Sequence, residues 1–519
     1  MKDFLVQLDD LPGEILMYIF KKLCSYEVLY YLMDVNQRIN RIARDRIFTH
    51  HLCLLEYCRI DDSSIPLSGP ILDRFCSKIL PEIGHQIETL YLERTSIERV
   101  LRATNYPNLN NLGLCDIDDD KLVMSLFSDT NSVIHLFNNQ ISSLVISFNE
   151  KINSCLKFNP YSPVRGTLFL GMTLETAISS TLLELHINVS DMTDFNHILD
   201  GRFDQLRILY INIDSIGIYY PYKELNKNLL PNLRIFSLYG FCVTCIQHFN
   251  ELLVPFLCRM INLDELDLHI NVLCYEKVID GDILKKDIMI HMARLYKFTF
   301  NIRSTIKHRN QTNFSLNESI AKTFNNFSND QIITGIDHFE RYSKCRIYSC
   351  PYQWRMYDDI TNNFRDGLFT NVTQVSLYDE HPFEDEFFLR ISKSFPFMKQ
   401  LKIHNLKAQQ NKSNNDNQIL STIKYPNLTR LDLLHTHDDY IELFLFNMKM
   451  SLPNNLHLRG RYQSLKRVTQ NFTRYITENN CTKLAALYIL IVNQTDEYHI
   501  KKYFPYICIH NTGDFLLSK

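Results

Sequence analysis

A short apolar template recurs along most of this chain of 519 residues, and it constrains the fold more than any other feature. Each copy has apolar side chains at its first, fourth and sixth positions, the pattern of a strand that buries one face. The copies begin at Ile87, Leu109, Ile141, Leu182, Leu206, Leu233, Leu263, Leu295, Val372, Met398, Leu428 and Leu484. The starts from Leu182 to Leu263 are 24, 27 and 30 residues apart, which leaves room for a strand, a return helix and two loops. One such unit cannot bury its apolar face alone, so we expect successive units to stack with parallel strands.

A turn signature precedes three of these strands. Pro107-Asn108, Pro231-Asn232 and Pro426-Asn427 stand directly before the first apolar position. Pro ends the preceding helix, and Asn tolerates the geometry of a tight turn. Template and turn together resemble the leucine-rich repeat. The resemblance implies an α/β fold, an irregular leucine-rich-repeat solenoid (a horseshoe) with a parallel sheet on the concave face.

Side chains beside the apolar positions of such strands are expected on the concave side. They are mixed in charge and size, which suits recognition of a protein partner. The candidate substrate-binding residues are Arg207, Tyr210, Arg234, Glu265, Asp267, Lys399, Lys402, Arg430 and Asp432. For any one of them, an ordinary solvated strand position is the alternative interpretation.

The first fifty residues do not repeat this template and instead predict three short helices. The first starts at Leu11-Pro12 with Pro12 in its first turn, where Pro is well tolerated because the helical N–H groups have no partner. Asp9, Asp10 and Glu14 favour the positive helix end. Its apolar positions are Ile15, Leu16, Ile19, Phe20 and Leu23. The second helix is expected from Ser25, a good cap, with Val28, Leu29, Leu32 and Met33. The third carries Val35, Ile39, Ile42 and Ala43.

Three such helices bury little surface on their own, so a unit of this kind usually docks on something. The Leu-Pro-x-Glu-Ile-Leu start and the Ile19-Phe20-x-x-Leu23 continuation resemble the F-box. Ile39 stands where that family commonly has Trp. The resemblance implies docking on a small Skp-type adaptor, and it assigns to that interface Leu11, Pro12, Ile15, Leu16, Ile19, Leu23 and Leu29, some of which also serve the packing of the module.

The predicted organisation has five parts. These are an F-box-like helical domain (5–50), a helical linker or N-terminal cap (51–85), leucine-rich repeats (86–302), an insertion with a degenerate repeat (303–370), and further repeats with a C-terminal cap (371–519). The stretch 303–330 is rich in Asn, Ser, Thr and Lys and predicts a mobile insertion or long loop. Cys345-x-x-Tyr348-x-Cys350 is a candidate degenerate strand. The intervals 141–182, 303–372 and 433–484 are each expected to hide a degraded unit.

Composition limits the partners. The net charge of -3 argues against a nucleic-acid binder, which needs a basic surface. No apolar run is long enough to span a membrane, and the N-terminus lacks the features of a signal peptide. The 14 scattered cysteines suit reduced thiols, which predicts a cytoplasmic or nuclear protein, or one found in both.

The sequence contains few candidates for a metal site or a catalytic site. Cys242-x-x-Cys245 is a lone pair without the second pair of ligands that a structural zinc site needs, and buried neutral thiols are the expected state. His435 and His437 are more simply polar loop residues than metal ligands. No phosphate-binding loop or catalytic motif is present, so the sequence predicts no cofactor, no metal and no catalysis.

Together, the resemblances to the F-box and to the leucine-rich repeat imply the substrate-recognition subunit of an SCF-type cullin-RING ubiquitin ligase. In this hypothesis the F-box binds the Skp-type adaptor, and through it the ligase, while the repeats bind a protein target that the sequence does not identify. A non-degradative leucine-rich-repeat scaffold, whose F-box-like helices only cap the solenoid, is the main alternative. A metal-dependent or thiol enzyme built on the repeats is the other.

Overall fold

A computed structural model describes residues 11–58, 63–117, 136, 139–148, 179–189, 203–216, 229–243, 249–274, 277–307, 316–325, 327, 331–410, 423–445, 450–473, 483–489, 500–501, 503–504 and 508–511. The chain forms two compact units, Met1–Ser304 and Thr305–Lys519. Both are of mixed α/β composition with parallel sheets.

Short helices connect the strands. The α-helices of the described residues are α1 (Gly13–Phe20), α2 (Ser25–Leu32), α3 (Gln37–Ala43), α4 (Arg46–Thr49), α5 (Gly69–Arg74), α6 (Leu80–Ile83), α7 (Ile97–Leu101), α8 (Val254–Leu257), α9 (Gly281–Asp287), α10 (Leu316–Thr323), α11 (Asp385–Ser394), α12 (Asp438–Leu445) and α13 (Tyr462–Val468). Single turns of π-helix occur at Phe75–Ile79 and Phe249–Leu253, and of 3-10 helix at Gly84–Gln86 and Met289–His291.

Most strands are parallel to their neighbours and short. The described strands are β1 (His51–Cys53), β2 (Leu55–Cys58), β3 (Ser63–Pro66), β4 (Thr89–Glu93), β5 (Asn111–Ile117), β6 (Ser143–Phe148), β7 (Glu184–Val189), β8 (Ile208–Ile216), β9 (Ile235–Val243), β10 (Glu265–Cys274), β11 (Lys297–Lys307), β12 (Ile332–His338), β13 (Tyr342–Ser349), β14 (Met356–Ile360), β15 (Gln374–Tyr378), β16 (Gln400–Asn405), β17 (Ile423–Lys424), β18 (Arg430–Thr436), β19 (Met450–Ser451), β20 (Leu456–Arg459), β21 (Leu484–Ile489) and β22 (Cys508–Asn511). All twelve copies of the apolar template coincide with one of them.

In the first unit the sheet follows chain order, β1-β4-β5-β6-β7-β8-β9-β10-β11. The register places equivalent template positions opposite each other. The fourth positions form a buried row of Leu90, Leu112, Leu144, Leu185, Leu209, Phe236 and Leu266. The sixth positions form a second buried row from Leu92 to Leu268. Each repeat buries its apolar side chains against those of the neighbouring repeats. Burial therefore stabilises the stack rather than any single repeat.

The turns that enter the strands are joined by asparagine side chains. Asn262 Nδ2 donates to the carbonyl of Pro231 at 2.9 Å, and Asn232 Nδ2 donates to that of Asp204 at 2.8 Å. Asn108 makes the same bond to His85 O at 2.6 Å, and in the second unit Asn427 makes it to Pro396 O at 2.9 Å. Each of these side chains satisfies a carbonyl in the preceding turn, so this Asn connects neighbouring turns in addition to tolerating turn geometry.

The second unit repeats the arrangement with fewer strands, in the order β14-β15-β16-β18-β20-β21-β22. Tyr357, Val375, Leu401, Leu431 and Leu458 are successive register partners and all are buried. The strands β17 and β19 pair separately. The hairpin of β12 and β13 is antiparallel.

Several segments differ from the sequence-based expectation. Residues 51–66, expected in a helical linker, contain β1 and the antiparallel pair of β2 and β3. Leu52 is fully buried because β1 adds a parallel edge to β4, a tertiary contact that three residues of sequence do not signal. Residues 303–307, expected in a mobile loop, continue β11, with Ile306 buried.

The rest of the expected insertion also contains regular elements. The helix α10 buries Ile320 and places Phe324 one turn further on, also buried. The candidate degenerate strand around Cys345 exists as β13, but its antiparallel pairing with β12 differs from that of a stacked repeat. Two unpredicted strands, β14 and β20, fall in the intervals expected to hide repeats, whereas β6 pairs directly with β7 and admits no strand between them.

Candidate partner-binding surfaces

The helix α1 begins directly after Pro12, which the sequence-based prediction had inside the first turn. The N–H groups of Ile15 and Leu16 both donate to Pro12 O at 3.1 Å, so Pro12 is the cap rather than a first-turn residue. Glu14 lies in the first turn, where a negative charge complements the helix dipole. In α2 the cap is Cys24. The backbone N–H of Cys24 donates to the carboxylate of Glu27 at 2.8 Å.

One side of α1 is apolar and open to solvent. The exposed fractions are 46% for Ile15, 62% for Tyr18, 37% for Ile19 and 44% for Leu23. Spacings of three and four residues place Tyr18 and Ile19 on the same side of the helix as Ile15, and Leu23 lies in the turn that follows α1. Pro12, three residues before Ile15, is exposed as well. We call Pro12, Ile15, Tyr18, Ile19 and Leu23 the outer face of α1.

Exposed apolar side chains are concentrated in this part of the protein. Of the 15 exposed large hydrophobic residues in the described part of the chain, seven lie between Ile15 and Ile47. The three beyond α1 and its end are Tyr31, Val35 and Ile47. Contiguous exposed apolar surface is uncommon on a protein without a partner and marks interaction sites.

The opposite side of α1 faces the interior of the helical unit, the group of short helices formed by α1 to α4. Leu16 and Phe20 are buried, as are Leu29 and Ile39 in the neighbouring helices. The Arg38 guanidinium donates to Leu11 O at 2.5 Å and so ties α3 to the entrance of α1. Leu16 and Leu29, assigned to the adaptor interface by the resemblance, therefore lie inside the module in this structure.

The helical unit is also bonded to the segment that follows it. Lys78 Nζ lies 2.9 Å from the Asp34 carboxylate, which lowers the pKa of that carboxyl. Arg74 donates to Met33 O at 3.1 Å. The side chain of Thr49, fully buried, donates to Gln86 at 2.8 Å. These contacts hold the inner side of the helices against the start of the first sheet.

The candidate residues of the first unit lie along β8, β9 and β10 or directly before them. Arg207 is exposed, whereas Arg234 is half-buried and donates to Asn262 O at 2.9 Å. Glu265 accepts from Lys297 Nζ at 2.7 Å and from the Tyr296 hydroxyl at 2.9 Å, and its pKa is lowered mainly by the bond from Lys297.

The other two candidates of this unit also bind their neighbours. Asp267 accepts from Ser237 at 3.0 Å and from Thr299 at 2.9 Å. The ring of Tyr210 stacks on His186 with centroids 4.4 Å apart, and burial raises the pKa of the Tyr210 hydroxyl. These residues therefore form a lateral network across the strands rather than separate solvated positions.

A second polar row lies two residues further along the same strands and was not predicted. Asn212 Nδ2 donates to Asn188 Oδ1 at 2.8 Å, and the His269 ring stacks on Tyr239 at 4.3 Å. All four residues are buried. The sequence held a signal for this row, because in successive copies of the template an amide or aromatic residue directly follows the sixth position.

On β16, β18 and β20 of the second unit, cationic side chains lie on either side of one carboxylate. Lys402 on β16 is the register partner of Asp432 on β18, which in turn is the partner of Arg459 on β20. Lys402 is exposed and Asp432 is half-buried. The Arg459 guanidinium lies 3.3 Å from the Asp432 carboxylate. The remaining candidates are Lys399, which is exposed directly before β16, and Arg430, which is half-buried at the start of β18.

Two imidazoles continue this surface. The rings of His404 and His435 stack with centroids 5.2 Å apart, and an Arg461 nitrogen lies 3.5 Å from His435 Nδ1. The pKa of His404 is lowered, first by burial and then by His435 and Lys402. We call Lys402, Arg430, Arg459 and Arg461, with the two histidines, the basic strand face.

The candidate chemical sites lie only partly within the described residues. His437 Nδ1 lies 3.2 Å from the Asp439 carboxylate. Cys242 is in β9, and Cys245 lies outside the described residues. Over the described ranges, no group of three or more His, Cys, Asp or Glu side chains is arranged to hold a metal ion. Among the helices of those ranges, none has both the length and the apolar character to cross a bilayer.

A pocket of about 380 Å³ lies where the β12–β13 hairpin meets β14. The Arg346 guanidinium stands over the Tyr357 ring, 4.5 Å from its centroid. Asp337 accepts from the Thr361 hydroxyl at 2.6 Å, and Asp359 from Lys344 Nζ at 2.7 Å. Both carboxylates of the pocket thus already bind neighbouring side chains.

Comparison of this chain with protein-family models and with curated proteins found no match.

Proposed function

We propose that this chain is the substrate-recognition subunit of an SCF-type cullin-RING ubiquitin ligase. In this proposal the outer face of α1 docks on a Skp-type adaptor, and the polar strand faces bind a protein target. The chain contributes proximity rather than chemistry, since it raises the local concentration of the target near the charged enzyme.

The observation that carries the proposal is the exposure of the α1 outer face within the segment that has the F-box spacing. Ile15, Ile19 and Leu23, which the resemblance to the F-box assigns to the adaptor interface, are open to solvent. Aliphatic and aromatic side chains of this kind form the central part of protein interfaces. An adaptor that covered them would bury apolar surface without unfolding any part of the chain.

The scaffold alternative has its own support. The helices α2 and α4 pack against β1, and Arg46 forms an ion pair with Glu88 directly before β4. Such contacts are what a cap on the first strand would make. A cap uses the inner side of the helical unit, however, and it does not account for the apolar outer face.

Co-purification with a Skp-type adaptor separates the two. Ile15→Asp with Ile19→Asp places two carboxylates in the proposed interface, where their desolvation opposes binding. Since both positions are exposed, the fold should be kept, as circular dichroism and a urea titration would show. Ile261→Asp with Ile290→Asp is the matched control, because both isoleucines are exposed and lie outside the helical unit.

The proposal expects recovery of the adaptor with the wild type and the control, and its loss with the α1 variant. Equal recovery with both folded variants, or no recovery with the wild type, would leave the scaffold hypothesis in place of the ligase one.

A further inference from the structure

The basic strand face has an excess of positive charge, although the chain as a whole has slightly more acidic than basic residues. The whole protein has 55 basic and 58 acidic residues. On three adjacent strands of the second unit, Lys402, Arg430 and Arg459 are accompanied by one carboxylate, that of Asp432. Arg461 follows two residues after the end of β20 and lies beside His435. Asp432 pairs with Arg459 at 3.3 Å, and its Oδ1 also accepts from Leu434 N at 3.0 Å, so the single carboxylate is shared between a cation and a backbone N–H.

The surroundings of His404 are consistent with a positive potential. Apart from burial, the groups that lower the pKa of this imidazole are His435, Lys402 and Arg461, whereas Asp359 opposes them. Asp359 itself binds Lys344 at 2.7 Å.

The register sets the spacing that a ligand would have to match. Lys402 and Arg459 occupy the same row on β16 and β20, with β18 between them. Adjacent strands lie about 4.8 Å apart, so these two cations are separated by roughly 10 Å across the sheet. An extended peptide advances about 3.3 Å per residue, so acidic residues three apart cover the same distance.

We propose that the basic strand face of the second unit binds an extended, acidic segment of a partner protein in which carboxylates recur at every third residue. The inference deepens the proposed function, because it states the chemistry of the target that the strand surface takes. Charge complementarity of this kind sets the partner and its register more than the total affinity.

A nucleic acid is the competing polyanion and fits less well. Its binders replace counterions along the phosphate backbone and commonly make 6–10 phosphate contacts. The basic strand face offers four cations around one carboxylate. A short acidic segment needs no more than that.

The test is direct binding of a fluorescent peptide of repeated Glu-Ser-Gly to the full chain, followed by anisotropy at low salt. The control peptide has Gln for Glu, and a third peptide has the same composition with its Glu residues clustered. Lys402→Glu with Arg459→Glu reverses two cations of the face. Lys393→Glu with Lys424→Glu makes the same charge change at exposed lysines of α11 and β17.

The expected result is binding of the Glu-Ser-Gly peptide that is weakened at least about tenfold by the reversal on the strand face and little changed by the control variant. Clustering the Glu residues should also weaken it. Salt should weaken it as the Debye length falls from about 30 Å at 0.01 M to about 8 Å at 0.15 M. Lys402→Gln only removes a charge and should give a smaller loss, which keeps the test valid if the double reversal disturbs the fold.

Absence of peptide binding by the wild type, equal binding of the Gln peptide, or equal weakening by the two double variants would overturn the inference. So would tighter binding of a single-stranded DNA oligonucleotide than of the Glu peptide, which would indicate a nucleic-acid surface. Adaptor recovery is measured separately. A chain that binds the peptide without the adaptor refutes only the ligase assignment, and one that binds only the adaptor refutes only the acidic target.

Discussion

Ile15 and Leu16 are neighbours in α1, and replacing each by alanine should separate folding from docking. Leu16 is fully buried, whereas Ile15 is 46% exposed. Both substitutions remove a large aliphatic side chain and raise helix propensity or leave it unchanged. Any difference between their effects therefore reports which side of the helix faces the protein.

The magnitudes follow from burial. Leu16→Ala leaves a cavity in the helical unit and should cost about 2–5 kcal/mol of unfolding free energy. Ile15→Ala removes a side chain that contacts little of its own protein and should change stability by less than about 0.5 kcal/mol. In the proposed complex Ile15 becomes buried, so its truncation should cost about 1–2 kcal/mol, or about 5- to 30-fold in affinity.

Two measurements on the same preparations check this pair. Urea titration followed by circular dichroism gives the stability, and calorimetry with a purified Skp-type adaptor gives the affinity. The expected pattern is a crossed one, with Leu16→Ala unstable but binding normally when folded, and Ile15→Ala stable but binding weakly. If Ile15→Ala destabilises as much as Leu16→Ala, the protein itself covers Ile15, and the inferred docking face does not exist. If Ile15→Ala is stable and binds normally, this side chain takes no part in the interface.

Three further outcomes test the architecture. Gly113→Ala should destabilise the first unit by about 1–3 kcal/mol, because the new Cβ would lie 2.1 Å from the Tyr91 ring, and most of that loss should disappear in a Tyr91→Ala background in urea titrations. Asn262→Ala should cost about 0.5–1.5 kcal/mol in the same titrations, since its bond to the preceding turn is lost, and an unchanged midpoint would show that the asparagine does not connect the turns. Hydrogen bonding from Arg467 lowers the pKa of Asp438, so the stability from this pair is present above the carboxyl's unfolded pKa and is lost as the pH falls through the lowered folded pKa. Asp438→Asn should therefore flatten the acid limb of stability against pH, and an unaltered limb would contradict this assignment.

The strands were predictable because burial follows the template closely. Leu209 and Ile211 are in β8 with both side chains buried, as the fourth and sixth template positions require. The helix α1 was predictable for a similar reason, since Pro12 and the apolar spacing are local signals. The strands β1, β14, β20 and β22 were not predicted, because short strands at the edges or in degraded copies have too few apolar positions to stand out.

The candidate surfaces were predictable only in part. Glu265 and Asp267 were recognised as outward strand positions, but their bonds to Lys297 and Thr299 come from the next strand, about thirty residues away in sequence. The buried stack of His269 on Tyr239 was not foreseen for the same reason. Contacts between registered strands depend on pairing that no single repeat contains.

By itself the sequence determined the repeating strand, the turn that enters it and the helical start, because these depend on local spacing and on the conformational limits of Pro and Asn. Only the tertiary structure decided which apolar residues of α1 stay exposed and which cations share one surface. Leu16 and Ile15 are both large aliphatic residues, and only the tertiary structure makes Leu16 a core residue and leaves Ile15 open. Likewise, Lys402 and Arg459 are distant in the chain and meet on one sheet only because the registers of β16, β18 and β20 align them.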